Sequence, residues 1–197
     1  MDEGNTRREF LVRAGAAGAA LAGAGVLAAR AEAPVTEEAK KTMAEKKTIL
    51  VAADPFAVAL KEAVVEHLKG KGYEVLDLGA SKTNEKPYFD GAVEVCKALQ
   101  AGKAERALLF CGTGMGMSIV ANRFKGVTAA VVESVYAAKM CRAINNANVL
   151  CLGQMIWGEW MAKEAVDMCL NTGFTQGREP LAGFLRDACS KVEAIRP

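Results

Sequence analysis

The chain is poor in groups that commonly carry acid–base and metal chemistry. It has one histidine in 197 residues, His67. No second histidine or paired thiolate stands at ligand spacing from it, so no metal site is expected. His67 falls on the flank of a helical apolar stripe near Ala63 and Val64, where a structural role is expected. The six cysteines, Cys96, Cys111, Cys141, Cys151, Cys169 and Cys189, form no C-x-x-C pair, and burial as free thiols is the default expectation for all but Cys111. Charge of one sign is also lacking. Lys and Arg total 25 against 23 acidic residues, a net +2, with none of the basic striping that binds nucleic acid, so no nucleic-acid partner is expected. Aromatic residues are only 6% of the chain, against 51% hydrophobic overall. That usage, rich in Ala, Val, Leu and Gly, favours an α/β fold over a β-sandwich.

The length suits one domain of roughly 100–200 residues preceded by a short leader. Thr6-Arg7-Arg8-Glu9-Phe10-Leu11-Val12, a weakly apolar Ala/Gly-rich run over 14–29 and small-x-small patterns ending at Ala33 resemble a twin-arginine export signal. Residues 1–33 are read as that signal peptide, 34–47 as a charged linker and 48–197 as the folded domain. The expected partner of the leader is the twin-arginine export machinery, and the expected location is periplasmic.

From residue 48 onward, β-branched apolar runs alternate with segments of helical spacing. Strands are expected at 48–53, 74–78, 106–111, 127–132 and 148–152. Helices are expected at 57–71, 90–101, 117–124, 135–145 and 158–170, with a last one at 181–195. Five strands in such alternation imply a parallel sheet covered by helices on both faces. Ligands in these sheets bind beyond the carboxyl ends of the strands. The residues there are Asp54, the loop 111–116, Glu133, Ser134 and Gly153.

The loop Cys111-Gly112-Thr113-Gly114-Met115-Gly116-Met117-Ser118 has three glycines between strand and helix, a pattern that turns backbone amides toward one point and binds anions. A cysteine at its mouth, near a helix N-terminus, stands where thiolate is favoured and can serve as a base. A base beside an oxyanion hole, with no metal ligands in view, suits proton abstraction next to a carbonyl through an enediolate. Other readings stay open on these residues alone. Cys111 is also compatible with a small buried hydrophobe. Gly-x-Gly-x-Gly with Glu133 about twenty residues on is compatible with a nucleotide site, although the third glycine comes one residue early and the loop follows the third strand. Trp157 and Trp160 are expected to pack at a subunit interface, and Met115 and Met117 to fill gaps against the sheet.

The stretch from Cys111 through Asn122 to Gly126 and Val127, with Asp54, Tyr88, Tyr136, Asn145, Asn148 and Gly153, resembles the family of type B ribose-5-phosphate isomerases and galactose-6-phosphate isomerase subunits. The resemblance implies a three-layer Rossmann-like fold and a cofactor-free aldose–ketose isomerase of a small sugar phosphate. It implies that Cys111 shuttles the proton, with Thr113 steadying the substrate oxygens. Gly112, Gly114, Met115 and Gly116 would offer amides, Asp54 would orient sugar hydroxyls, and Tyr88 and Asn145 would lie at the substrate. Arg178 would hold the phosphate, in a homodimer or homotetramer with shared active sites. Two family histidines are replaced here by Pro55 and Ile144. The second is the ring-opening group, and its loss points to a substrate that needs no ring opening, such as a tetrose phosphate. The family's second phosphate-binding arginine falls at Ala182, with Arg186 offered only by a shifted register. Those departures keep open a catalytically altered binding module on the same scaffold.

Overall fold

The computed structural model describes residues 48–195. The export signal and linker of the sequence analysis lie outside the described residues. Five strands, β1 (Thr48–Ala53), β2 (Glu74–Asp77), β3 (Arg106–Cys111), β4 (Ala129–Val131) and β5 (Val149–Gly153), pair entirely in parallel. Their order across the sheet is β2-β1-β3-β5-β4. The helices are α1 (Val58–Gly70), α2 (Tyr88–Gln100), α3 (Met115–Ala121), α4 (Val135–Ala143), α5 (Glu159–Leu170) and α6 (Ala182–Ala194).

The pleat of the sheet sorts the core into two layers, because successive side chains of a strand face opposite ways. Ile49, Val51, Leu108, Phe110, Leu150 and Leu152 face α1, α4 and α5. Leu50, Ala52, Leu109, Cys111, Val149 and Cys151 face α2 and α3. Both faces of the central strands are sealed, which is why these strands read as continuous apolar runs rather than alternating ones. Each fully buried Leu or Phe contributes roughly 1.5–3 kcal/mol relative to exposure. β4 lies at the sheet's edge, is only half-buried and shrinks to three residues, shorter than its apolar run suggests.

The strand order sets the site. The chain leaves β1 toward β2 on one side and, after α2, returns to β3 on the other. Between the carboxyl ends of β1 and β3 the crossovers diverge and leave a crevice. Asp54 follows β1 and Cys111 ends β3, so the two residues flank that opening.

Candidate active site

At the end of β1, Asp54 caps a short 3-10 turn (Pro55–Ala57), accepting from the Phe56 amide at 3.0 Å. Pro55 occupies the first turn position, where its missing N–H costs nothing. The Asp54 amide donates to the Phe110 carbonyl at 3.0 Å, which ties it directly to the strand that carries Cys111. Asp54 is only 7% exposed. Burial pushes its carboxyl above the ordinary 3.8, while backbone hydrogen bonds from Phe56 and Ala57 pull the other way.

The nest is built around Cys111. Its Sγ accepts from the Gly114 amide at 3.0 Å, and Thr113 Oγ1 accepts from the Met115 amide at 3.4 Å. Gly114 has φ +81°, a left-handed turn that opens α3 directly, so the helix begins at Met115 rather than at the expected 117. Among the described residues the amides of Gly112, Thr113 and Gly116, none of them fully buried, donate to no other atom. These, rather than the Gly114 and Met115 amides, are the donors open to a ligand.

Neighbouring backbone presses close on this loop. A Cβ at Gly153 would lie 2.6 Å from the Thr113 Cα, and one at Gly114 would lie 3.2 Å from the backbone of Cys151 and Leu152. The Tyr88 ring packs on Gly116, where a Cβ would approach it to 3.0 Å. Tyr88 opens α2 and makes an edge-to-face contact with Phe89 at 5.3 Å. One strand-end crevice thus gathers Asp54, Tyr88, Cys111, Gly112, Thr113, Gly114, Met115 and Gly116.

Two expected site residues lie elsewhere in the chain. Asn145 precedes β5 at the end opposite Gly153, and that strand alone spans about 13 Å. Arg178 Nη2 rests on the outer side of α4, 3.2 Å from both Tyr136 Oη and Met140 Sδ. Arg186 lies over the Phe174 ring at 5.7 Å. His67 is bound to Asp167 at 2.9 Å, between α1 and α5. Trp157 is a core residue whose Nε1 donates to the Val132 carbonyl, so it does not pack at a surface as expected, whereas Trp160 is open to solvent. Met117 fills the core as expected, but Met115 is half exposed. Among the described residues no three His, Cys, Asp or Glu side chains gather as metal ligands would.

Sequence reading missed Lys61. It is almost wholly buried, and its Nζ donates to Asp77 Oδ2 at 2.5 Å and to the Ala80 carbonyl at 2.6 Å. The Ala80 amide in turn donates to the Ala53 carbonyl, one residue before Asp54. A lysine inside a helical apolar stripe was the available signal.

The sequence profile of the Ribose/Galactose Isomerase family matches residues 49–181. The chain belongs to that family. It is 46% identical over 149 residues to the 4-deoxy-4-sulfo-D-erythrose isomerase of Clostridium sp. (strain MSTE9), covering 75% of this chain and 94% of that protein. It is 39% identical over 131 residues to the D-erythrulose-4-phosphate isomerase of Pectobacterium atrosepticum, covering 66% and 86%. Among solved structures, ribose-5-phosphate isomerase B of Clostridium thermocellum matches with a TM-score of 0.69 and 34% identity, over 75% of this chain and 96% of that one. The chain is accordingly an aldose–ketose isomerase of the ribose-5-phosphate isomerase B type.

Proposed function

We propose that the chain interconverts a four-carbon aldose and ketose that carry an anionic group on carbon 4. The observation that carries this is the fate of the single histidine: His67 is held by Asp167 away from the crevice, and no imidazole is left to open a sugar ring. A tetrose substituted at carbon 4 has lost the hydroxyl that would close its furanose, so it is presented open. The names of the two relatives above, both four-carbon isomerases, support the same reading.

The chemistry follows from the crevice. Cys111, as a thiolate, removes the proton from carbon 2 of the aldose; the C–H electron pair forms the double bond between carbons 1 and 2, and the carbonyl π pair passes to oxygen 1 as an oxyanion. The enediolate charge is met by the open amides of Gly112, Thr113 and Gly116 and by the Thr113 hydroxyl. The hydroxyl proton on oxygen 2 passes to oxygen 1, the electron pair on oxygen 2 forms a carbonyl at carbon 2, and the Cys111 thiol returns its proton to carbon 1. Asp54 is held in place by the Phe56 amide on Oδ1 and takes a sugar hydroxyl through its carboxyl group.

The anion is a phosphate in the main reading, held by Arg178. A sulfonate is the second reading, favoured because Ala182 replaces a second arginine. One guanidinium balances the single charge of a sulfonate, whereas a phosphate carries about −1.5 to −2 at pH 7.

Because Asn145 lies at the far end of β5 and Arg178 is engaged by Tyr136 and Met140 on α4, the site is completed by a second copy, in a homodimer or a homotetramer. Exposed Phe56, Met115, Ile119, Met155 and Ile156 near the nest support burial there of a partner surface. The leader takes the protein to the periplasm, and Arg7→Lys with Arg8→Lys is expected to hold it in the cytoplasm, as cell fractionation will read.

The reaction is tested by incubating the reduced protein in deuterated water with four-, five- and six-carbon sugars bearing phosphate, sulfonate or neither. Deuterium beside the carbonyl of a four-carbon anionic sugar, lost in Cys111→Ala, is the expected result. Incorporation only into a five-carbon sugar phosphate overturns the tetrose reading. None in any sugar, from folded protein, leaves a binding module.

A further inference from the structure

Helix α1 begins without a side-chain cap of its own. Its N-cap residue is Ala57, whose methyl group accepts nothing, so the first-turn amides need partners from elsewhere. One partner comes from another strand end: the Leu60 amide donates to Gln154 Oε1 at 3.0 Å, across 94 positions of sequence. Gln154 directly follows β5 and is exposed, so packing in the core explains neither the length nor the polarity of its side chain.

The same residue is tied to the nest. The Gln154 amide donates to the Cys111 carbonyl at 3.0 Å, and the Asp54 amide donates to the Phe110 carbonyl, one residue earlier on β3, at 3.0 Å. The Ala57 amide returns to the Asp54 carbonyl at 3.1 Å, and the Phe56 amide to Asp54 Oδ1 at 3.0 Å. These bonds close a ring. It runs from Asp54 to β3, from β3 to Gln154, from Gln154 to α1, and from α1 through the 3-10 turn back to Asp54. The Gln154–Leu60 bond is the link that a substitution opens without altering Asp54 or Cys111.

We propose that Gln154 is a positioning residue for the isomerisation: by holding the start of α1 to the end of β5, it fixes the Asp54 carboxyl relative to Cys111. The inference rests on the roles given above to Cys111 as proton shuttle and Asp54 as hydroxyl acceptor. Strand pairing between β1 and β3 aligns the two backbones only as far as the Asp54 amide. The turn that carries the carboxyl lies beyond that bond and leans on α1. A shift of about 1 Å between the group that holds a sugar and the base that deprotonates it costs about 100-fold in rate. Because a backbone N–H only donates, the side-chain atom facing Leu60 is the carbonyl oxygen, and the amide nitrogen is left as the outer atom. Gln154 therefore acts through Asp54 and Cys111, and its loss falls on kcat more than on KM.

Two full-length variants test it. Gln154→Met keeps the volume but offers no acceptor, whereas Gln154→Glu keeps an acceptor at a helix N-terminus, where a carboxylate is favoured, and drops the amide donors. Each is assayed by deuterium incorporation into the sugar that the native protein labels, and the Leu60 amide is followed by hydrogen exchange. Gln154→Met is expected to lose about 10–100-fold in kcat, with KM changed by less than about 3-fold and the Leu60 amide opened to exchange. Gln154→Glu is expected to stay within about 3-fold of native kcat, with the amide still protected. Gln154→Ser, too short to reach Leu60, is expected to repeat the Met result and stands in for it if that variant does not fold. Native kcat in a variant whose Leu60 amide has opened overturns the proposal. So does a Gln154→Glu protein that loses as much kcat as Gln154→Met with the amide protected, because the side chain then meets the substrate itself. Turnover that survives Cys111→Ala removes the thiolate from the reaction, and that failure is read in a different variant from those at residue 154.

Discussion

Gly153, the last residue of β5, lies so close to Thr113 that a Cβ at residue 153 would stand 2.6 Å from the Thr113 Cα and 2.9 Å from the Gly112 carbonyl oxygen. The contact is backbone to backbone, so no side-chain rotation relieves it. The Gln154 and Met155 amides, which donate to the carbonyls of Cys111 and Gly112 at 3.0 Å, pin the same edge. Gly153→Ala must therefore displace the loop that aims Cys111. The variant is expected to fold with a loss of about 1–3 kcal/mol and to lose at least about 100-fold in kcat, since small misplacements of a reacting group are costly. Urea unfolding and the deuterium-exchange assay check the two effects separately.

Asp54 makes a pH-dependent prediction. Its carboxyl is raised above 3.8, chiefly by burial, so the folded chain binds that proton more tightly than the unfolded chain. Ionising Asp54 therefore costs stability. The cost is absent below 3.8, grows between that value and the raised folded one, and is constant above both. Asp54→Asn keeps an acceptor for the Phe56 amide and removes the ionisation. Its Tm is expected to exceed that of the native protein at pH 7, with the gap closing as pH falls below 3.8, while turnover drops through loss of the hydroxyl acceptor. Thermal unfolding of both proteins across the acidic range checks the sign.

Lys61→Met retains the apolar stem but leaves the Ala80 carbonyl without its ammonium donor. A loss of about 1–3 kcal/mol in urea unfolding is expected, from one buried acceptor left unpaired. The surface pair Lys82–Glu62 is the control: it is exposed, and Lys82→Ala is expected to leave the unfolding midpoint where it was.

These residues mark what sequence made legible. The strands over 48–53 and 106–111 could be read to the residue because both faces are buried and the apolar runs are uninterrupted. The early start of α3 was hidden, because it depends on the left-handed turn at Gly114, and a glycine permits that turn without announcing it. The Cys111 nest was legible because its members are consecutive. The Lys61 bridge from α1 to the loop after β2 depends on tertiary neighbours that no local spacing encodes. Asn145 and Arg178 were named by resemblance; Asn145 stands at the opposite end of β5 from the nest, and Arg178 is engaged by Tyr136 and Met140 on α4 rather than by the nest.

That separation gives the strictest test of a shared site. Cys111→Ala is expected to lose the proton shuttle, and Arg178→Ala the anion contact, each cutting activity by about 100-fold or more. If every site is self-contained, a mixture of the two dead proteins stays dead. If each site joins the nest of one copy to Arg178 of another, a hybrid dimer holds one site with both defects and one with neither. Random exchange makes about half of the dimers hybrid, so about a quarter of native activity is expected to return after the two proteins are unfolded and refolded together. Mixing without subunit exchange is expected to return none. Activity restored only by co-refolding therefore locates Arg178 in the partner's crevice, and its absence from a demonstrated hybrid places the anion contact elsewhere.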